Sequence, residues 1–389
     1  MKTVTDNVVH IPPDEDEPPH DARWIVLLVV VVGVFAIVLL VVQTRPLPPA
    51  YEWLMVEGPG GPVNMDSLIA DRDNFAVLSG ITDRGVSIWW TNDVGRWRRQ
   101  LLEGSPTQLA AGDGRVAAYR VRSGALMALE GGRWVVESEI EFPAEARSRR
   151  ASSRPSIVVT ASGLLEMSLF GDIWWSQTGE EFIRVIEDPA WGQGVETRFE
   201  SACRPPSRSS PDVPPYVVAD GTMLALGPSN TDEPFGIWPV CEPVMWSSSD
   251  GSTWSVVPTS LGHDSAYVYD LAWRDGVLIA VGGHAIGQPA VWASDDGTEW
   301  AEITPDTAGA VDLYRVEAGE AGWVILGHDN LESRPVGWTS SDAVCWEPLP
   351  QPVSGSEAVV SGNHILLVDR TDLPGMWLAT PTGSAGACR

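Results

Sequence analysis

The sequence predicts an all-β protein: a seven-bladed β-propeller whose N-terminal strand closes the last blade, preceded by one transmembrane helix. Three observations carry this prediction. A nine-residue pattern with an aromatic residue at each end and Asp-Gly at its centre returns along the chain. Pairs of short apolar runs, separated by turn residues, precede each copy. One unbroken apolar stretch near the N-terminus is long enough to cross a bilayer.

The pattern is clearest from Trp246 to Trp254, with Asp250 and Gly251 at the turn. It returns from Trp292 to Trp300 with Asp296 and Gly297, and from Trp338 to Trp346 with Asp342 followed by Ala343. The step between these three copies is 46 residues each time. A weaker copy runs from Trp89 to Trp97 and keeps Asp93; another runs from Trp174 to Phe182. Asp-Gly between apolar runs is a hairpin signal, because Gly accepts positive φ and the Asp carboxylate can bond nearby backbone amides. The Ser or Thr two residues earlier can tie the same loop to the chain.

Each hairpin follows two strand-like runs, such as Val268–Trp273 with Val277–Val281 and Leu313–Val316 with Trp323–Leu326. Four short antiparallel strands per repeat describe a propeller blade. The first aromatic column reads Trp89, Leu126, Trp174, Trp246, Trp292, Trp338 and Trp377. The second reads Trp53, Trp97, Trp134, Phe182, Trp254, Trp300 and Trp346. Both columns give seven. Little chain follows Trp377, so the strand around Trp53 is expected to complete the last blade and remove its open edge. These columns hold twelve of the 19 Trp residues, so the Trp excess is mostly structural.

Trp24 to Val42 is nineteen residues without a charge. At about 1.5 Å per residue it spans nearly the hydrocarbon core of a bilayer. It is longer than the roughly 7–15 apolar residues of a cleavable signal peptide, and an acidic leader precedes it. The expected organisation is a disordered acidic cytoplasmic tail (1–23), a signal-anchor helix (24–43), a Pro-rich linker (44–50) and the propeller (51–389). The protein is therefore expected in the cell membrane as a single-pass chain, with its N-terminus cytoplasmic and its propeller extracytoplasmic.

Phe182 to Trp254 is 72 residues rather than 46, which places insertions within 187–243. Long loops on a rigid scaffold are where binding concentrates. Trp191, Phe199, Phe235 and Trp238 are the candidate partner-binding residues there. Cys203 and Cys241 fall in the same insertions, whereas Cys345 and Cys388 lie in the sixth hairpin and the C-terminal tail. Pairings Cys203–Cys241 and Cys345–Cys388 fit an oxidising compartment.

Chemistry-bearing motifs are scarce. No CxxC, HExxH, Walker loop, GxGxxG or GxSxG is present, so neither a cofactor nor a metal site is expected and no catalytic residue is assigned. The formal charge of −27 opposes nucleic-acid binding. Tyr269, Asp270, Tyr314, Arg315 and Glu317 fall on expected inner strands, as does Arg120, where some could face the channel.

The hairpins Ser248–Trp254 and Ser294–Trp300 resemble the Asp-box repeats of sialidases and sortilin-type receptors, in a shortened form with adjacent Asp and Gly. In those families the box lies away from the catalytic centre, so the resemblance implies a fold and not an activity. The expected function is non-catalytic recognition of a protein or glycan partner by a membrane-tethered propeller. Two alternatives stay open: a sialidase-like glycoside hydrolase, and an assembly factor for a membrane complex, like the Asp-box propellers of photosynthetic membranes.

Overall fold

A computed structural model describes residues 51–56, 64–69, 76–82, 85–92, 96–102, 107–112, 115–120, 125–130, 133–139, 156–160, 163–167, 173–178, 183–186, 216–219, 221–228, 243–261, 266–284, 288–306, 311–349, 357–368 and 375–382. Among these, no helix is long and apolar enough to cross a membrane. The apolar run Trp24–Val42 lies outside the described residues.

The fold is all-β. The chain enters on β1 (Tyr51–Val56). The first sheet follows, with β2 (Asn64–Ile69), β3 (Ala76–Thr82), β4 (Gly85–Thr91) and β5 (Arg98–Leu102). The second holds β6 (Thr107–Gly112), β7 (Arg115–Arg120), β8 (Ala125–Glu130) and β9 (Arg133–Glu139). The third holds β10 (Ser156–Thr160), β11 (Gly163–Met167), β12 (Ile173–Ser176) and β13 (Ile183–Ile186). The fourth holds β14 (Tyr216–Ala219), β15 (Thr222–Pro228), β16 (Pro243–Ser248) and β17 (Ser255–Val257). The fifth holds β18 (Ala266–Arg274), β19 (Val277–His284), β20 (Gln288–Ser294) and β21 (Ala301–Glu302). The sixth holds β22 (Val311–Gly319), β23 (Gly322–Asp329), β24 (Arg334–Ser340) and β25 (Glu347–Pro348). The seventh combines β26 (Glu357–Ser361), β27 (His364–Val368) and β28 (Met376–Pro381) with β1.

Strand pairing thus gives seven four-stranded antiparallel sheets among the described residues. The seventh is completed from the N-terminus, with Tyr51 opposite Pro381 and Val56 opposite Met376. Tyr51 is 2% exposed, and its hydroxyl lies 3.0 Å from the Ala321 carbonyl and 3.1 Å from that of Ser340, both in the sixth sheet. Burial pushes this phenol up to about 12, so it stays a donor at neutral pH.

The second and third strands of a sheet are buried on both faces, which is why they read as apolar runs rather than alternations. Leu278 and Ala280 of β19 pack towards the fourth sheet; Ile279 and Val281, one residue out of step, pack towards the sixth. Such apolar cores are described at five junctions: first with second, fourth with fifth, fifth with sixth, sixth with seventh, and seventh with first. The aromatic columns have a consistent direction. Trp292 and Trp300 pack against the fourth sheet, Trp338 and Trp346 against the fifth, and Trp89 and Trp97 against the seventh. Each pair therefore pegs its own sheet to the preceding one.

Candidate functional site

At the hairpin turns Asp250, Gly251, Asp296, Gly297 and Asp342 do local structural work. Asp250 Oδ1 accepts the backbone N–H groups of Ser252 (2.8 Å) and Thr253 (2.7 Å), while Ser248 Oγ accepts that of Gly251 (2.8 Å). Asp296 repeats this with Thr298 (2.7 Å) and Glu299 (3.2 Å), and Ser294 Oγ accepts from Gly297 (2.8 Å). Asp342 accepts from Val344 (2.9 Å) and Cys345 (2.8 Å). The N–H groups of Thr253 and Ser252 hold the Asp250 carboxyl down at about 2. The Thr298 hydroxyl and N–H do the same for Asp296. For Asp342 burial opposes the charged form, but the N–H groups of Cys345 and Val344 prevail and keep its pKa low. The glycine that follows takes φ 79° at Gly251 and 78° at Gly297; Ala343 adopts φ 62° in their place. Each carboxylate is thus tied to the backbone amides of its own turn, which is a structural role. Asp93 lies outside the described residues.

The inner strands carry a different arrangement. Where β18 meets β19 the register shifts between Val268 and Asp270, and where β22 meets β23 it shifts between Leu313 and Arg315. The extra residues are Tyr269 and Tyr314. Such bulges re-aim the side chains after them. Leu313 and Val316, three apart, are both buried in the core, and Arg315 and Glu317 share the other face of the strand.

There a charged network links three sheets. Arg315 Nη2 lies 2.5 Å from Glu317 Oε1, and Arg315 Nη1 lies 3.6 Å from Oε2 of Glu357 in the seventh sheet. Asp270, in the fifth sheet, accepts the N–H of Val316 at 3.0 Å and that of Leu271 at 3.0 Å. Burial raises the Asp270 carboxyl to about 7; Arg315 opposes this shift and Glu317 adds to it. Burial likewise raises Glu317, against the pull of Arg315. Burial works against the Arg315 charge, but Glu317, Glu357 and Asp270 together hold it protonated.

Asp270 binds its proton more tightly in the folded state, so its stabilising contribution is complete below about pH 4 and is lost as the pH rises through about 7. Asp270→Asn is expected to flatten the fall in unfolding free energy between pH 5 and pH 8 by roughly 1–3 kcal/mol. Urea unfolding of both proteins at the two pH values measures this, and parallel pH profiles would contradict it.

Of the inner-strand residues picked out by sequence, Asp270, Arg315 and Glu317 are brought together, whereas the side chain of Arg120 lies outside the described ones. Glu357 was not anticipated. Its signal is an acid opening the otherwise apolar run of β26, at only 8% exposure. Among the described residues no cluster of His, Cys, Asp and Glu could hold a metal. Cys345 is disulfide-bonded; Cys203, Cys241, Cys388, Trp191, Phe199, Phe235 and Trp238 lie outside the described residues.

No protein-family model matches this chain, and no curated protein matches it. Solved structures do. A streptogramin B lyase structure is 10% identical with a TM-score of 0.50, over 86% of this chain and 100% of that one. The β-propeller domain of the Trilobed protease from Pyrococcus furiosus is 10% identical with a TM-score of 0.50, over 84% and 100%. A catalytically inactive virginiamycin B lyase from Staphylococcus aureus, with quinupristin, is 13% identical with a TM-score of 0.48, over 85% and 99%. At these identities the likeness concerns the fold alone, and that fold is a β-propeller.

Proposed function

We propose that this chain is a membrane-tethered, non-catalytic propeller that recognises a protein or glycan partner on the extracytoplasmic side. In this reading the seven sheets close as seven blades, β1 completes the last, and the span within 24–43 holds the ring at the membrane. Insertions within 187–243 supply the partner loop, with Trp191, Phe199, Phe235 and Trp238. The disulfide at Cys345 supports an oxidising compartment, with Cys203–Cys241 and Cys345–Cys388 as the proposed pairs.

One observation carries the non-catalytic part. Arg315 is closed into ion pairs with Glu317 and Glu357, and Asp270 takes two backbone N–H groups. A carboxylate-gripping or proton-transferring site would need such groups turned towards a substrate. Here they bind one another and staple neighbouring sheets. The Asp-box-like turns support a scaffold role for the same reason.

The test is surface cross-linking of the tagged full-length protein in its host. A reproducible partner that disappears when 187–243 is shortened is the expected outcome. A partner retained by the shortened protein would overturn the placement of the site. A second reading, glycoside hydrolysis, rests on Asp270, whose carboxyl near 7 has the proton affinity of a general acid. Glycan cleavage that is abolished by Asp270→Asn would establish that reading instead.

A further inference from the structure

The outer rim at the junction of the first and second sheets holds a cavity of about 440 Å³, lined by Trp90, Arg98, Arg99, Gln100, Arg133 and Trp134. Acidic residues outnumber basic ones in this chain, 52 to 25, so three guanidinium groups around one cavity run against its composition. Three other described arginines are matched by carboxylates: Arg274 by Asp275, Arg315 by Glu317 and Glu357, and Arg334 by Glu332. Among the described residues Arg98 and Arg133 have no such pair. Both are exposed, so their charges are open to a dissolved anion.

The cavity is also built rather than accidental. Arg99 lies across from Trp89 in the β4–β5 ladder, with its guanidinium carbon 5.3 Å from the Trp89 ring centroid. Its Nε and Nη2 donate to the buried Ser87 hydroxyl at 3.1 and 3.0 Å. Gln100 clamps the two sheets: its amide donates to the Trp134 carbonyl at 3.0 Å and accepts the Trp134 N–H at 2.9 Å. Trp90 and Trp134 meet edge to face at 6.4 Å. Trp134 is 4% exposed, and its indole N–H has no acceptor. The indole N–H of Trp346 in the sixth sheet is likewise buried without an acceptor, whereas Trp254 and Trp300 donate to the turn glycine carbonyls, each at 2.9 Å.

We infer that this rim cavity binds a small ligand, or one unit of a polymer, that carries carboxylate or phosphate groups. Arg98 and Arg133 would supply charge, and Arg99, held on Trp89 and Ser87, a fixed guanidinium plane. Guanidinium forks match both oxyanions bidentately, and a cavity of this size holds more than a single ion. The assignment goes beyond the partner-loop reading and does not depend on it, since no residue of 187–243 takes part.

Calorimetric titration of the full-length protein with pyrophosphate, tri-galacturonate and uncharged maltotriose tests the site. At least one of the two anions is expected to bind, more weakly as salt is raised, while maltotriose does not. Preference for tri-galacturonate would identify an acidic saccharide as the source, and preference for pyrophosphate a phosphoryl group. Arg98→Gln with Arg133→Gln should lower the affinity at least about tenfold while leaving the melting temperature unchanged, because both side chains are solvent-exposed. No binding of either anion, equal binding of maltotriose, or undiminished binding by the double variant would each overturn the inference.

Discussion

Arg315→Met is expected to destabilise the propeller by about 2–4 kcal/mol at pH 8. Removing one member of a buried ion pair typically costs about 3–5 kcal/mol, because the partner is left desolvated and unpaired. The side chain of Arg315 keeps 32% exposure, so solvent screens part of the loss and the expected figure is lower. Without the guanidinium, Glu317 and Glu357 face each other across the sixth and seventh sheets, and Asp270 loses the one charge that opposes its burial. Asp270 and Glu317 would then hold their protons to still higher pH. The variant should therefore be closest to the parent near pH 4, where these carboxyls are neutral, and furthest from it above pH 7. Denaturant unfolding at both ends of that range gives the comparison. Adding Glu317→Gln to Arg315→Met should recover part of the loss at pH 8. A pH-independent loss below about 0.5 kcal/mol would mean the network is a surface ion pair after all.

That network also marks where sequence reading stops. The strands were legible because their determinants are local. Val277–Val281 and Trp323–Leu326 announced β19 and β23 through unbroken apolar runs, and Asp-Gly marked the turns after β16 and β20. The closure by β1 was legible because the last repeat lacked an outer strand and Trp53 stood without a partner. The site was legible only in part. A two-residue alternation puts Leu313 and Arg315 on one face, yet the bulge at Tyr314 resets the parity and parts them. Nothing in Tyr314 itself announces a bulge. Glu357 joins Arg315 only through the packing of β26 against β22, which is a property of the ring and not of either strand. The rim cavity is similar: Arg98 and Arg133 lie in different repeats, and only the packing of the first sheet on the second brings them to one cavity.

Gly251→Ala should cost about 3–4 kcal/mol and Gly297→Ala only about 1–2, although the two turns are nearly superposable in sequence. The backbone does not distinguish them, since φ is 79° at one and 78° at the other. Ala343, at φ 62° in the third copy, shows that a methyl group can occupy this conformation. The difference lies in what the methyl would meet. At Gly297 it would lie 3.0 Å from Met245 Sδ and 3.4 Å from Leu278 Cδ1, and a methionine chain can yield. At Gly251 it would overlap the indole of Trp175, which has no comparable freedom. Trp175 belongs to the third sheet and Gly251 to the turn of the fourth. The variant therefore reports on the junction between those two sheets. Combining Gly251→Ala with Trp175→Leu should recover most of the excess, with a coupling energy above about 1 kcal/mol in a double-mutant cycle. Additive losses would instead show that the third and fourth sheets do not press on each other in solution.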